Sequence, residues 1–240
     1  MKKINDLLDI NNYKIVQDTD YFSFSLDSIL LCNFVNVNKD SKILDICSGN
    51  CPIPLVLNRK VDNKIYAVEI QKEIYELGKE TIDINNLSDK IELLNMDAKE
   101  LPKMFETDTF DIITCNPPYF KNKELSKKND NKIKSIARHE IEINLNDIFK
   151  LSRKLLKNNG SIVLVHRPER LIEIIETMKE NNIEPKRIQF IYPKIGKESN
   201  TVLIEGTKNG KPGLKILNPI IVHNEDGDYN EEIKKMFKGE

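Results

Sequence analysis

A doubly wound α/β fold, with a mostly parallel sheet and an antiparallel hairpin near the C-terminus, is predicted by three features of these 240 residues. From residue 42 onward, short apolar runs rich in β-branched residues alternate with helical patterns. That is the order of parallel strands joined by crossover helices. Polar residues close four of those runs, at Asp45 to Gly49, Glu69, Asp97 and Asn116, where open α/β sheets bind ligands. The length suits one core with modest extensions. The chain therefore reads as a single domain over 1–240, with an N-terminal extension over 1–40, a core over 41–208 and a C-terminal extension over 209–240.

The elements follow in order. Residues 42–46 form an apolar strand, and a loop leads to a helix near 52–60 opened by Pro52. The next strand covers 64–70, with helix to about residue 85 and strand again over 91–94. A helix at 98–106 precedes the strand at 110–115, which Pro117 and Pro118 stop. Residues 120–140 are polar and punctuated by Lys and Asn, so they read as a long loop. Asn144 caps a helix whose Leu145, Ile148, Phe149, Leu155 and Leu156 share one face, and Gly160 is expected to end it. Strand 161–165, helix 168–181 and strands near 186–192 and 201–206 complete the core. A turn around Gly210 to Gly213, a strand at 215–222 and a last helix form the tail.

Composition excludes several classes. A net charge of −1 gives no overall field that announces nucleic acid, so any such role must rest on local charge. No apolar stretch approaches a membrane span, and Met1 to Asp6 lead into no signal-peptide core. Four cysteines (32, 47, 51 and 115) do not make a secreted disulfide framework in a chain this long. A cytoplasmic location with reduced thiols is expected. Cys47-x3-Cys51 is poor zinc spacing, so the cysteines read as small packing residues and no metal is expected.

The most informative stretch is Asn116-Pro117-Pro118-Tyr119, held in a stiff turn after a buried strand. It resembles the motif of methyltransferases that alkylate a planar exocyclic nitrogen. The chemistry asks for these residue types. An adenine amine delocalises its lone pair into the ring and must pyramidalise as it attacks a sulfonium methyl. The Asn116 side-chain oxygen and the Pro117 carbonyl can accept its two hydrogens as charge develops. Tyr119 offers a face on which an extruded base can stack.

The loop Asp45-Ile46-Cys47-Ser48-Gly49-Asn50-Cys51 lies where a glycine-rich backbone can approach a nucleotide cofactor. Glu69 ends the following strand, where an acid suits two ribose hydroxyls. Asn95-Met96-Asp97-Ala98 follows the third strand. In this order the segments resemble those of Rossmann-like class I methyltransferases that use S-adenosyl-L-methionine. The resemblance implies a cofactor site of Phe24, Ser25, Asp45, Cys47, Gly49, Glu69, Ile70, Asp97, Ala98 and Asn116, with Asp97 toward the cofactor's exocyclic amine. By residue type alone, Glu69 and Asp97 also fit solvated strand-end acids, and Phe24 fits a core position. Cysteines stand at the first and third glycine positions of the family pattern, which is costly if those positions need a positive φ.

Gln17 to Asp27, Arg138-His139-Glu140, Pro193 to Asn200 and Gly210 to Gly213 narrow the likeness. With Asn116 to Tyr119 they resemble the bacterial tRNA N6-adenine methyltransferases that modify valine tRNA next to its anticodon, from about residue 12 to the C-terminus. The resemblance implies a tRNA substrate, no membrane role and no obligatory protein partner. The loop from Lys121 to Arg138 has a net charge of +5 and reads either as a path for phosphates or as a solvated linker. Its Lys121, Lys127, Lys128, Lys132, Lys134 and Arg138, with Lys194 and Lys197, are the candidate RNA contacts. Lys186 and Arg187 offer an alternative path beside Lys194 and Lys197. Three rivals share parts of the pattern. These are methylation of guanine N2 in ribosomal RNA, methylation of a release-factor glutamine, and RNA binding by a catalytically weak protein of the same fold. The release-factor enzymes carry a sizeable helical domain before the cofactor loop, whereas here that loop begins at residue 45.

Overall fold

A computed structural model describes residues 1–7, 12–18, 25–117 and 143–239. Among them, the main sheet runs β3 (Ile43–Ile46), β4 (Ile65–Glu69) and β5 (Ile91–Asn95) to one side. β6 (Phe110–Cys115), β7 (Leu156–His166), β9 (Thr201–Lys208) and β8 (Ile183–Tyr192) lie to the other. β3 pairs in parallel with both β4 and β6. The chain therefore reverses its direction of travel across the sheet between β3 and β6, and the carboxyl ends of those strands flank a crevice. β9 is antiparallel to β7 and to β8, which makes the hairpin expected from the sequence.

Both faces of the sheet are covered, which is why its strands read as continuous apolar runs. One face packs Ile43, Ile65, Ala67 and Val163 against α1 (Leu26–Phe34), α2 (Pro52–Leu57) and α6 (Glu231–Lys238). The other packs Leu44, Ile113, Ile162 and Ile204 against α4 (Leu145–Leu155) and α5 (Leu171–Glu180). The Asn144 cap is present, its side chain accepting from the Asp147 N–H at 3.0 Å.

Several expectations change. Gly160 does not end α4. The helix stops at Leu155, the left-handed residue is Asn159 (φ +64), and Gly160 lies inside β7. The segment after β5 is a short 3₁₀ turn, Ala98–Lys103, because Pro102 withholds a backbone donor. The strand expected at 215–222 is two brief pairings, β10 (Lys215–Ile216) and β11 (Ile220–Ile221), both parallel to β8. The helix expected at 52–60 ends at Leu57.

The N-terminal extension folds in a way its sequence pattern does not announce. β1 (Lys2–Asp6) and β2 (Lys14–Asp18) form a separate antiparallel ribbon. β1 is exposed throughout, so no alternation marks it. Long-range bonds hold β2 instead. The Val16 N–H donates to the Thr81 hydroxyl at 2.9 Å, on α3 (Lys72–Ile84). The buried Asn50 amide donates to the Val16 carbonyl at 2.8 Å.

Candidate active site

The carboxyl ends of β3, β4 and β5 surround one cavity. Cys47, Glu69, Ile70, Asp97 and Ala98, five residues singled out from the sequence, line it together with Val68, Met96 and Ile143. Ile143 enters from just before α4, and no motif marks it.

The loop after β3 owes its shape to three left-handed residues. Cys47 has φ +57, Gly49 +59 and Cys51 +70, the three positions where the family pattern carries glycine. The loop thus keeps a glycine-type backbone with two side chains that resist it, each at a cost of about 1–3 kcal/mol. Packing and hydrogen bonds hold it there. The Ser48 N–H donates to the Val68 carbonyl at 3.0 Å, and the Gly49 N–H to Glu69 Oε2 at 3.0 Å. Helix α3 crowds the loop from outside. A Cβ on Gly78 would sit 2.8 Å from Leu93 Cδ2, 3.2 Å from Cys51 Sγ and 3.2 Å from the Gly49 carbonyl.

These angles predict the outcome of restoring glycine. Cys47→Gly relieves the strained φ, partly offset by the entropy of a freer unfolded chain, for a net gain of about 1 kcal/mol. A thermal unfolding curve under reducing conditions should rise by about 2–4 °C. Cys51→Gly should gain less, because it also empties a fully buried thiol position. An unchanged or lower midpoint for Cys47→Gly contradicts the strain.

Glu69 is 5% exposed and does more than the sequence reading asked of it. Besides Gly49, its Oε1 accepts from the Gln71 N–H at 2.9 Å. Asn95 supports it from the neighbouring strand, donating to the Glu69 carbonyl at 2.9 Å and the Ile70 carbonyl at 3.1 Å. Asp97 caps the 3₁₀ turn, Oδ1 accepting from the Lys99 N–H at 2.9 Å, and Lys99 Nζ lies 3.3 Å from Oδ2.

Asp45 lies behind the cavity, fully buried, its Oδ1 accepting from the Thr114 hydroxyl at 2.6 Å. Burial pushes its carboxyl up from 3.8 to about 7, against the pull of the Ser48 and Thr114 hydroxyls. The Cys115 thiol is pushed well above its ordinary value by burial and by the adjacent Cys47 thiol. Cys47 of the loop and Cys115 at the end of β6 are thus neighbours at the strand ends. Among the described residues no group of three or more His, Cys, Asp or Glu is placed to hold a metal.

Asn116 follows β6 directly. Its side-chain Nδ2 donates to the Ser28 hydroxyl on α1 at 3.2 Å, and Pro117 behind it is buried. Ser25 stands at the N-cap of α1 with its hydroxyl buried and, among the described residues, without a hydrogen-bond partner. Phe24, Pro118, Tyr119, Lys121, Lys127, Lys128, Lys132, Lys134 and Arg138 lie outside the described residues. Lys194 and Lys197 are exposed on the turn between β8 and β9. Arg187, on the alternative RNA path, is held by partners within the protein. Its Nε donates to Glu205 at 2.7 Å, its Nη2 to the Phe34 carbonyl at 2.8 Å, and the guanidinium stacks 4.5 Å over the Phe34 ring.

The model of the methyltransferase small domain matches residues 12–181. The chain belongs to that family. A curated relative from Parabacteroides distasonis, named tRNA1(Val) (adenine(37)-N6)-methyltransferase, is 26% identical over 98% of this chain and 97% of its own. A relative of the same name from Haemophilus influenzae is 26% identical over 94% of each chain. Among solved structures, a predicted O-methyltransferase from Agrobacterium tumefaciens is similar with a TM-score of 0.71 and 17% identity, over 89% of this chain and 96% of that one. The TYW2 protein of Pyrococcus horikoshii, solved with MeSAdo, has a TM-score of 0.62 and 14% identity, over 87% of this chain and 72% of that one. Both structural likenesses establish the shared fold. Among the described residues, no helix is long and apolar enough to cross a membrane.

Proposed function

We propose that this chain is an S-adenosyl-L-methionine-dependent methyltransferase acting on N6 of an adenine in tRNA, the adenine next to the anticodon of valine tRNA. The observation that carries this reading is the placement of Asn116. It stands at the carboxyl end of β6, beside the strand whose loop and neighbours form the cavity of Glu69 and Asp97. The names of relatives that match nearly the whole chain support the same substrate.

The cavity residues fit the cofactor. Two carboxylates meet hydroxyl and amine donors, and Ile70, Met96 and Ala98 supply an apolar wall for a purine. Glu69 holds the ribose end and Asp97 the exocyclic amine. When bound, the cofactor supplies an electrophilic sulfonium methyl. Asn116 and the Pro117 carbonyl would accept the two hydrogens of the adenine amine and so localise its lone pair on the nitrogen. Tyr119 stacks the base, and the surplus amine proton leaves after transfer. Phe24 and Ser25 border the methionine end.

The RNA approaches over the same edge of the sheet. β8 is parallel to β7 and β6, because β9 is antiparallel to both β7 and β8. The turn with Lys194 and Lys197 therefore lies at the carboxyl edge, on Asn116's side. With the basic loop from Lys121 to Arg138 it gives phosphates a path whose contacts position the RNA rather than read bases. The chain works as one catalytic unit over 1–240 in the cytoplasm, without an obligatory protein partner.

Incubating the protein with total tRNA and methyl-labelled cofactor, then digesting to nucleosides, tests the reaction. Label in N6-methyladenosine is expected, and label in N2-methylguanosine or in protein points to the rival reactions. The RNA path has its own test. Lys194→Ala with Lys197→Ala should weaken tRNA binding and flatten its logarithmic salt dependence by about 0.7–0.9 for each phosphate no longer neutralised. Cofactor affinity should stay as in the parent. An unaltered salt slope removes the turn from the RNA path.

A further inference from the structure

The C-terminal tail carries an acidic turn to the basic turn between β8 and β9. β11 runs parallel to β8, and the chain stays beside it. The Val222 N–H donates to the Tyr192 carbonyl at 2.8 Å, and the His223 N–H to the Pro193 carbonyl at 3.0 Å. The tail thus reaches the carboxyl edge of the sheet next to Lys194. There it reverses through Asn224-Glu225-Asp226-Gly227-Asp228. The Asn224 N–H donates to the Asp228 carbonyl at 2.9 Å, and the Asp228 N–H to Asn224 Oδ1 at 2.9 Å. Below the reversal, the Asn230 N–H returns to the Val222 carbonyl at 2.9 Å, and the His223 and Tyr229 rings stack with centroids 4.9 Å apart. The acidic turn therefore stands on a base bonded to the sheet.

Its tip meets the basic turn. A Cβ on Gly227 would lie 3.6 Å from Lys194 Nζ. Glu225, Asp226 and Asp228 are exposed, as are Lys194 and Lys197. Consecutive Cα atoms are about 3.8 Å apart, so Asp226 and Asp228 stand within roughly a Debye length of the ammonium, about 10 Å at 0.1 M salt. The acidic turn carries a charge of −3, while Lys194, Lys197 and Glu198 give the basic turn only +1. A phosphate that approaches Lys194 from the tail side meets more negative charge than positive.

We infer that the acidic turn is a built-in counter-charge on RNA binding: Glu225, Asp226 and Asp228 compete with phosphates for Lys194 and hold down the affinity of this edge for RNA. The inference rests on the reading that puts Lys194 and Lys197 on the RNA path. It gives the C-terminal tail a role in substrate binding, in opposition to the lysines beside it.

The combined variant Glu225→Gln, Asp226→Asn and Asp228→Asn tests it, with tRNA dissociation constants measured across a salt series. The amides keep the shape of the turn and remove its charge. Binding at low salt should tighten by about three- to tenfold, the scale of a few exposed charge contacts, and the gain should shrink as salt rises. Each single neutralisation should give a smaller gain in the same direction. In a Lys194→Ala background the gain should fall by more than half. Asp62→Asn, Asp89→Asn and Glu106→Gln together make the same change in net charge. These exposed acids precede β4, β5 and β6, at the opposite edge of the sheet, and should leave tRNA affinity nearly as in the parent. Equal gains from the two triple variants, or a gain undiminished by Lys194→Ala, overturn the inference. Weaker binding in Lys194→Ala without tighter binding in the tail variant leaves the RNA path standing and removes the counter-charge. Parent-like binding in Lys194→Ala takes Lys194 off the RNA path, and the inference falls with it.

Discussion

Asn116→Ala lowers turnover by about 100- to 1000-fold, the usual cost of removing one acceptor or donor aimed at developing transition-state charge. The effect falls on kcat. Asn116 stands at the end of β6, while the cavity walls come from β3, β4, β5 and the segments that follow them, together with Ile143. Cofactor binding measured by calorimetry should therefore change little. Asn116→Asp separates shape from chemistry. It keeps an acceptor but places a full negative charge where Nδ2 donates to Ser28, so it should also lose most activity. Parent-like kinetics for Asn116→Ala on a confirmed RNA substrate would sink the mechanism.

Glu69→Ala weakens cofactor binding by about 100-fold, since a hydrogen bond to a charged acceptor is worth about 1.5–3 kcal/mol. The structure makes the expected loss larger than a ribose contact alone. The same carboxylate accepts from the Gly49 and Gln71 N–H groups, so the variant also frees the strained loop it braces. The thermal midpoint should fall with the affinity. Glu69→Gln is the informative partner. Its carbonyl can still accept from one N–H, but its amino group faces the other donor, so it should rescue only part of either effect. An unaltered dissociation constant for Glu69→Ala means that the cofactor lies elsewhere.

Asp45, Glu69, Asp97 and Asn116 were legible because each ends an apolar run or closely follows one, and a parallel sheet brings such ends to one edge. Knowing the strands was enough to know that the residues meet, without any distance. The antiparallel hairpin was legible for a similar local reason, two apolar strands joined by a polar turn. Boundaries were less legible. Gly160 looked like a helix stop, yet Asn159 took the left-handed conformation and the strand began at Leu156. Asn and Gly both tolerate positive φ, and neighbouring contacts chose between them.

By itself the sequence determined the doubly wound core, the sheet edge at which the strand-end residues gather and the amide and acids placed there. Periodicity and strand-end residues are local properties, and a short window of chain carries them. Only the tertiary structure decided how the edge is held. Local pattern does not show that an exposed β1 and a half-buried β2 form a ribbon docked through Thr81 and Asn50. Nor does it show that Cys47 and Cys51 accept glycine angles, or that Ser28 reaches Asn116 across 88 residues. Each of these depends on groups far apart in sequence. Their bonds form only once the core has brought the elements together, and hydrogen bonds and packing between those elements then override what each segment prefers alone.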